Sequence, residues 1–290
     1  MSRGLCPLLG SLILWAVTAG CSRGGDDRNH GASAPHANSE ALRTGSSARW
    51  GPASLSGTVL WLDAARGVER TGDRVTRWLD QSSRRNHASP DGERSSPTFV
   101  DVALNGRPAL LFDGKSQYLR VPDSASLQFG AGDFVMAVAL SHTTPTDTAW
   151  GYGCVVSKQE ITYPFVGPSL WGNSERRRGQ LMGQLVYHEQ HVLTGAQNLN
   201  HGAPLVVLLH RRTDAEGTNL VLRVNRVVSQ STLRPGIDLS ALGAPLHIGG
   251  TPDPRQSLLG SIAEIVAIKG AVATADAQAL ETYLIDKYGI

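Results

Sequence analysis

His188-Glu189-Gln190-His191 is the first place to look for chemistry, because neighbouring imidazoles beside a carboxylate are zinc-ligand types. The metalloprotease pattern needs its histidines four apart on a helix, whereas position 192 is Val. On a strand, residues three apart point to opposite faces, so the two histidines read as exposed polar residues rather than a chelate. The chain has no Gly-x-Ser-x-Gly elbow and no glycine-rich phosphate loop ending in Lys. Cys154 sits in Gly153-Cys154-Val155-Val156 and reads as a buried thiol without a base beside it. Glu175-Arg176-Arg177-Arg178 reads as a solvated basic loop. A second kind of site is aromatic. Trp150, Tyr152, Tyr163 and Trp171 fall within one turn-rich stretch, where their rings could form a platform for a sugar.

These side chains need elements to hold them, and the pattern supplies mostly short strands. Thr58–Asp63, Val75–Asp80, Pro97–Asp101, Pro108–Phe112, Tyr118–Val121 and Phe134–Leu140 are candidates. Cys154–Ser157, Gln180–Tyr187, Leu205–His210, Leu220–Val228, Leu246–Gly249 and Ser261–Ile268 complete the set. Alternation is plain at Leu220, Leu222 and Val224, which share one face. Asn105-Gly106, Asp113-Gly114, Glu216-Gly217 and Pro235-Gly236 supply turns between them. The expected class is therefore all-β: a two-sheet antiparallel sandwich closed by one C-terminal helix. That helix should start at Thr274 as N-cap, stop at Gly289, and bury Ala277, Leu280, Leu284 and Tyr288.

The chain has 290 residues, with 27 Lys and Arg against 25 Asp and Glu, a balance that gives no strong field for nucleic acid. Its N-terminus reads as an export signal over residues 1–20. Arg3 supplies a charge, Leu8–Val17 an apolar run too short to span a bilayer, and Thr18-Ala19-Gly20 a small-residue exit. Ala19-Gly20-Cys21 resembles the bacterial lipobox, although Thr18 stands where an aliphatic residue is usual. The resemblance implies lipid attachment at Cys21, membrane association through that anchor alone, and outer-membrane sorting, since Ser22 rather than Asp follows. Residues 21–54, rich in Ser, Gly, Ala and Asn without periodicity, read as a disordered tether. Residues 55–290 form the expected domain.

Within that domain, Val59-Leu60-Trp61-Leu62-Asp63-Ala64 and Trp78-Leu79-Asp80-Gln81-Ser82 resemble the opening of bacterial laminin-G-like jelly rolls of the concanavalin-A-like lectin/glucanase group. Leu104-Asn105-Gly106-Arg107-Pro108, Phe112-Asp113-Gly114, Val224-Asn225, His247-Ile248-Gly249-Gly250 and Lys287-Tyr288-Gly289 continue the likeness in order. Arg226 departs from it, replacing a usual Gly after Val-Asn. The related glucanases carry E-x-D-x-x-E on one strand, and no Glu of this chain is followed by x-Asp, so that catalytic set is absent. The resemblance further implies a calcium ion at a loop rim, for which Asp63, Asp80 and Asp113 are the candidate oxygen ligands. The function expected from the residues and the resemblance together is a non-catalytic, lipid-anchored envelope module binding a glycan or an envelope or extracellular protein. The alternatives are a polysaccharide lyase or hydrolase with a different site, and a purely structural envelope lipoprotein.

Overall fold

The computed structural model describes residues 50–144, 152–173, 179–195 and 197–290. The segments expected to be an export signal and most of a tether, with Cys21, and also Trp150 and the basic run at 175–178, lie outside the described residues. Seventeen strands and one α-helix are described. One sheet contains β1 (Thr58–Asp63), β2 (Val68–Thr71), β3 (Arg74–Trp78), β5 (Thr98–Leu104), β6 (Arg107–Asp113), β8 (Phe134–His142), β13 (Leu205–Asp214), β14 (Gly217–Val224), β15 (Val227–Thr232) and β17 (Leu259–Lys269). Its order is β15-β14-β13-β8-β17-β6-β5-β3-β2, and β1 pairs with β17 beyond the end of β6. The other sheet contains β4 (Ser89–Pro90), β7 (Leu119–Val121), β9 (Tyr152–Ser157), β10 (Ser169–Asn173), β11 (Leu181–Val186), β12 (Gln190–Leu193) and β16 (Leu246–Ile248), in the order β12-β11-β10-β9-β16-β7-β4. Every pairing is antiparallel, as the alternating pattern and short turns require.

The core lies in two layers, and side-chain alternation sorts residues between them. Phe134, Met136, Val138 and Leu140 of β8 point between the sheets, while Val135, Ala137 and Ala139 point outward. Leu205, Val207 and Leu209 of β13 likewise face inward, with Val206 and Leu208 outward. The outward set is covered by α1 (Thr274–Tyr288), whose Ala277, Leu280, Leu284, Ile285 and Tyr288 are buried. Strands buried on both faces explain why β8, β13 and β17 read as near-continuous apolar runs. Burying each large side chain of the α1 stripe contributes about 2 kcal/mol.

Three local details depart from the sequence expectation. Thr274 is the first helical residue and Ala273, with an extended backbone, the N-cap; the Thr274 hydroxyl accepts from Arg212 Nη1 at 3.3 Å rather than capping. The single expected strand Leu220–Val228 is a two-residue hairpin: Asn225 and Arg226 turn at φ 47° and 72° between β14 and β15. Packing begins before Leu55, with a 3-10 turn at Pro52–Ser54 and Trp50 tilted against Tyr283 at 5.9 Å. At Gly249, φ is +74° and the Phe112 ring occupies the space of a side chain, so only glycine fits.

Candidate functional site

Asp63, Asp80 and Asp113 are each engaged by their own surroundings. Asp63 faces Glu264 across the β1–β17 pair, and both are fully buried beneath α1. Lys287 places its ammonium 2.8 Å from Asp63 and 2.6 Å from Glu264. Trp61 Nε1, Tyr283 OH and Tyr288 OH also donate to Glu264, at 2.7, 3.2 and 3.0 Å. Burial pushes the Glu264 carboxyl above its ordinary range, with Lys287 opposing and Asp63 adding to the rise. Two carboxylates sharing one ammonium are close enough for retaining glycoside chemistry. Here, however, no water or sugar reaches them and their lone pairs are taken, so the cluster fastens the helix to the sheet.

Asp80 is an interior turn anchor. Its carboxylate accepts from the backbone of Trp61, Ser82 and Asn86 at 2.8, 2.9 and 2.7 Å, and from the Ser82 hydroxyl. Asp113 accepts three consecutive amides, Lys115, Ser116 and Gln117, through one oxygen. Burial alone would raise its pKa, but those amides outweigh it and hold the carboxyl below the usual range. The three calcium candidates thus close three separate loops, and among the described residues no group of three acidic, His or Cys side chains is arranged around a common ion.

A different cation site is filled by the chain itself. Lys158 follows β9 with no exposed side-chain surface. Its ammonium donates to Asp123 Oδ1 at 2.9 Å and to the carbonyls of Ala241 and Ala244 at 2.7 and 2.6 Å. One carboxylate and two carbonyls are the oxygen set a bound cation would choose, and here an ammonium holds the 241–244 loop to the 123 loop.

The four aromatic candidates divide. Tyr152 and Trp171 meet edge-to-face at 5.2 Å on β9 and β10. Trp171 is buried and donates to Ser169 Oγ at 2.8 Å, so it packs the sheet rather than offering a ring face. Tyr163 sits at the opposite end of the same hairpin. The β9–β10 ladder continues through Lys158–Pro168 and Glu160–Val166 to a tight turn at 162–165, with a cis Tyr163–Pro164 bond. Beside it, β11 and β12 turn at Val186–Gln190, with His188 at φ 59°. Because Tyr187 N donates to Pro164 O and Gly167 N to Leu185 O, the two turns are held side by side.

That pairing gathers Tyr163 with two rings that were not among the sequence candidates, Phe165 and Tyr187. Tyr163 stands edge-on to Phe165 at 6.3 Å and to Tyr187 at 6.4 Å, and Phe165 stands edge-on to Tyr187 at 5.6 Å. His188 lies against Tyr187 at 3.8 Å. Tyr163 is 72% exposed and Ile161 80%. A polar rim adjoins: Arg234 pairs with Glu189 at 3.1 Å, and its amide donates to Gln190 Oε1 at 2.9 Å. Phe165 and Tyr187 were legible only as aromatic residues next to turns, since the strand order alone sets those turns together. His188 and His191 belong to this hairpin, one in its turn and one on β12, without a shared ligand position.

No protein-family profile matches the chain, and no curated protein is similar to it. Solved structures do share its fold. The binding domain of Paraclostridial Mosquitocidal Protein 1 matches with a TM-score of 0.57 at 10% identity, over 80% of this chain and 52% of that one. The botulinum neurotoxin serotype D ligand binding domain, solved in complex with N-acetylneuraminic acid, matches with a TM-score of 0.56 at 8% identity, over 79% and 51%. Trypanosoma rangeli sialidase matches with a TM-score of 0.53 at 15% identity, over 81% of this chain and 34% of that one. The chain spans about half the length of the first two and a third of the last. The shared feature is the two-sheet sandwich.

Proposed function

We propose that this protein is a non-catalytic carbohydrate-binding module of laminin-G-like type, exported and held to the cell envelope by a lipid on Cys21. The observation that carries the reading is the Tyr163–Phe165–Tyr187 cluster, in which an exposed Tyr163 ring stands against two half-buried rings on two hydrogen-bonded turns. A sugar ring lays its C–H face on such a surface, while its hydroxyls reach polar groups of the kind that His188, Glu189, Gln190 and Arg234 provide at the rim. Fold neighbours that include a domain solved with N-acetylneuraminic acid support a glycan partner. Non-catalysis is supported by the missing E-x-D-x-x-E set and by the sealed Asp63–Glu264 pair. Envelope location rests on the signal-like residues 1–20 and the Ala19-Gly20-Cys21 motif.

The test is a glycan array probed with the wild type and with Tyr163→Ala, each with calcium and with chelator. Binding that Tyr163→Ala weakens about tenfold, roughly the strength of one ring contact, supports the platform. Blank arrays under every condition sink it and favour a structural envelope protein. Release of reducing ends from polysaccharides, removed by one carboxylate substitution, would make the protein an enzyme. Palmitate labelling lost in Cys21→Ser checks the anchor.

A further inference from the structure

The outer face of the larger sheet is covered by α1 only in part. Where the first turns of α1 pass over β13, β14 and β15, a groove of about 170 Å³ remains, lined by His210, Arg212, Val221, Val228, Thr274 and Gln278 among others. Two of its lining residues each carry a buried polar atom with no hydrogen-bond partner: His210 Nε2 and Arg212 Nε. His210 is 3% exposed. Such groups cost free energy unless something joins them, so they point to a ligand.

The chemistry of that ligand follows from what the two atoms offer. The Val272 carbonyl engages the His210 ring, leaving Nε2 as the unpartnered nitrogen. Burial, foremost, pushes the imidazole down to about 4; Arg212 and Arg223 add to the drop, and Asp133 and the Val272 carbonyl oppose it. At neutral pH the ring is uncharged, with Nε2 an acceptor when the Val272 carbonyl takes the Nδ1 proton. Arg212 Nε is a donor. The two residues are i and i+2 on β13, about 7 Å apart on one face.

The cationic charge around the groove is already matched. Arg212 lies 3.7 Å from Asp214, and Arg223 donates to Glu281 at 2.7 Å. An oxyanion would therefore find little free charge and an imidazole lone pair facing it. Hydroxyls both donate and accept, so one can donate to Nε2 and another accept from Nε. Val221, Val228 and Ala277 add apolar surface for a C–H face. The groove, about 170 Å³, has room for several water-sized groups.

We infer that the groove between the first turns of α1 and β13–β15 is a second site, which takes a single uncharged pyranose through its hydroxyls to His210 and Arg212. This site is independent of the Tyr163 platform, on the other sheet.

The test uses the 15N-labelled full chain and four probes, the methyl glycosides of glucose, galactose, mannose and N-acetylglucosamine, with sulfate as the anionic control. The expected result is a saturable shift of the His210 Nε2 and Arg212 Nε–H resonances with at least one glycoside. Arg212→Lys, which keeps the charge but removes Nε, should weaken that binding about tenfold, or about 1.4 kcal/mol. Tyr163→Ala should leave it unchanged, which separates this site from the platform. The inference fails if none of the four glycosides moves those resonances, if only sulfate does, or if Tyr163→Ala abolishes the shift.

Discussion

Lys158 and Asp123 form an ion pair 2.9 Å long in which the lysine side chain is wholly buried and the aspartate a quarter exposed. Burial drives the Lys158 pKa down, and Asp123 pulls it back up. The pair matters because the same ammonium also satisfies two carbonyls of the 241–244 loop. Lys158→Met keeps the stem and removes the charge. It should cost about 3 kcal/mol, read as a lower urea midpoint at unchanged m-value. Lys158→Met with Asp123→Asn should recover part of that loss, because the stranded carboxylate is then gone.

A parallel argument applies to Lys287, whose single ammonium pairs with two buried carboxylates. Lys287→Met should destabilise by about 3–5 kcal/mol at neutral pH. Its deficit should shrink as pH falls and Glu264, whose pKa burial already raises, takes up a proton. Chemical denaturation at a series of pH values reads both effects.

His142, His210 and His247 are buried, and burial lowers each to about 4. Unfolded histidines take up protons near pH 6.5. Between these values the unfolded chain binds more protons than the folded one, so stability falls as pH drops from about 6.5 toward 4. Each group contributes roughly 3 kcal/mol over that window. Glu264, whose pKa is raised, works in the opposite direction. The melting temperature should decline across this range, and a flat profile would contradict the burial of the three rings.

Arg226 occupies a left-handed turn position, φ 72°, where glycine is the unstrained residue. Its amide donates to Glu281 Oε1 at 2.7 Å, a bond that glycine retains. Arg226→Gly should therefore be neutral or stabilising by up to about 1 kcal/mol, measured by thermal unfolding.

Cys154 is fully buried, and burial raises its thiol pKa far above the ordinary value. In the native protein it should resist a thiol reagent such as DTNB and react only at the rate of unfolding.

The strands with the clearest apolar runs, such as Phe134–Leu140 and Leu205–His210, were legible because their residues are buried on both faces. Ser169–Asn173 was not: Leu170 is its one core-facing aliphatic, and Gly172 and Asn173 look like a loop. The Ala277–Leu280–Leu284–Tyr288 stripe was plain, since its spacing is local. Nothing local in the sequence marks Lys158, because Asp123, Ala241 and Ala244 come to it only through tertiary folding. Tyr163 was legible as a candidate, but its partners Phe165 and Tyr187 depend on the β10–β11 register, which no local pattern encodes.

Strand β17 lies in the middle of the larger sheet, joining β8 on one side to β6 and β1 on the other, yet it follows every other described strand in sequence. A nascent polypeptide that stops short of Leu259 holds two half-sheets with open edges and no means of joining them. Closure must therefore await the synthesis of β17, and truncations that remove it should be prone to edge-to-edge aggregation rather than trimmed folding.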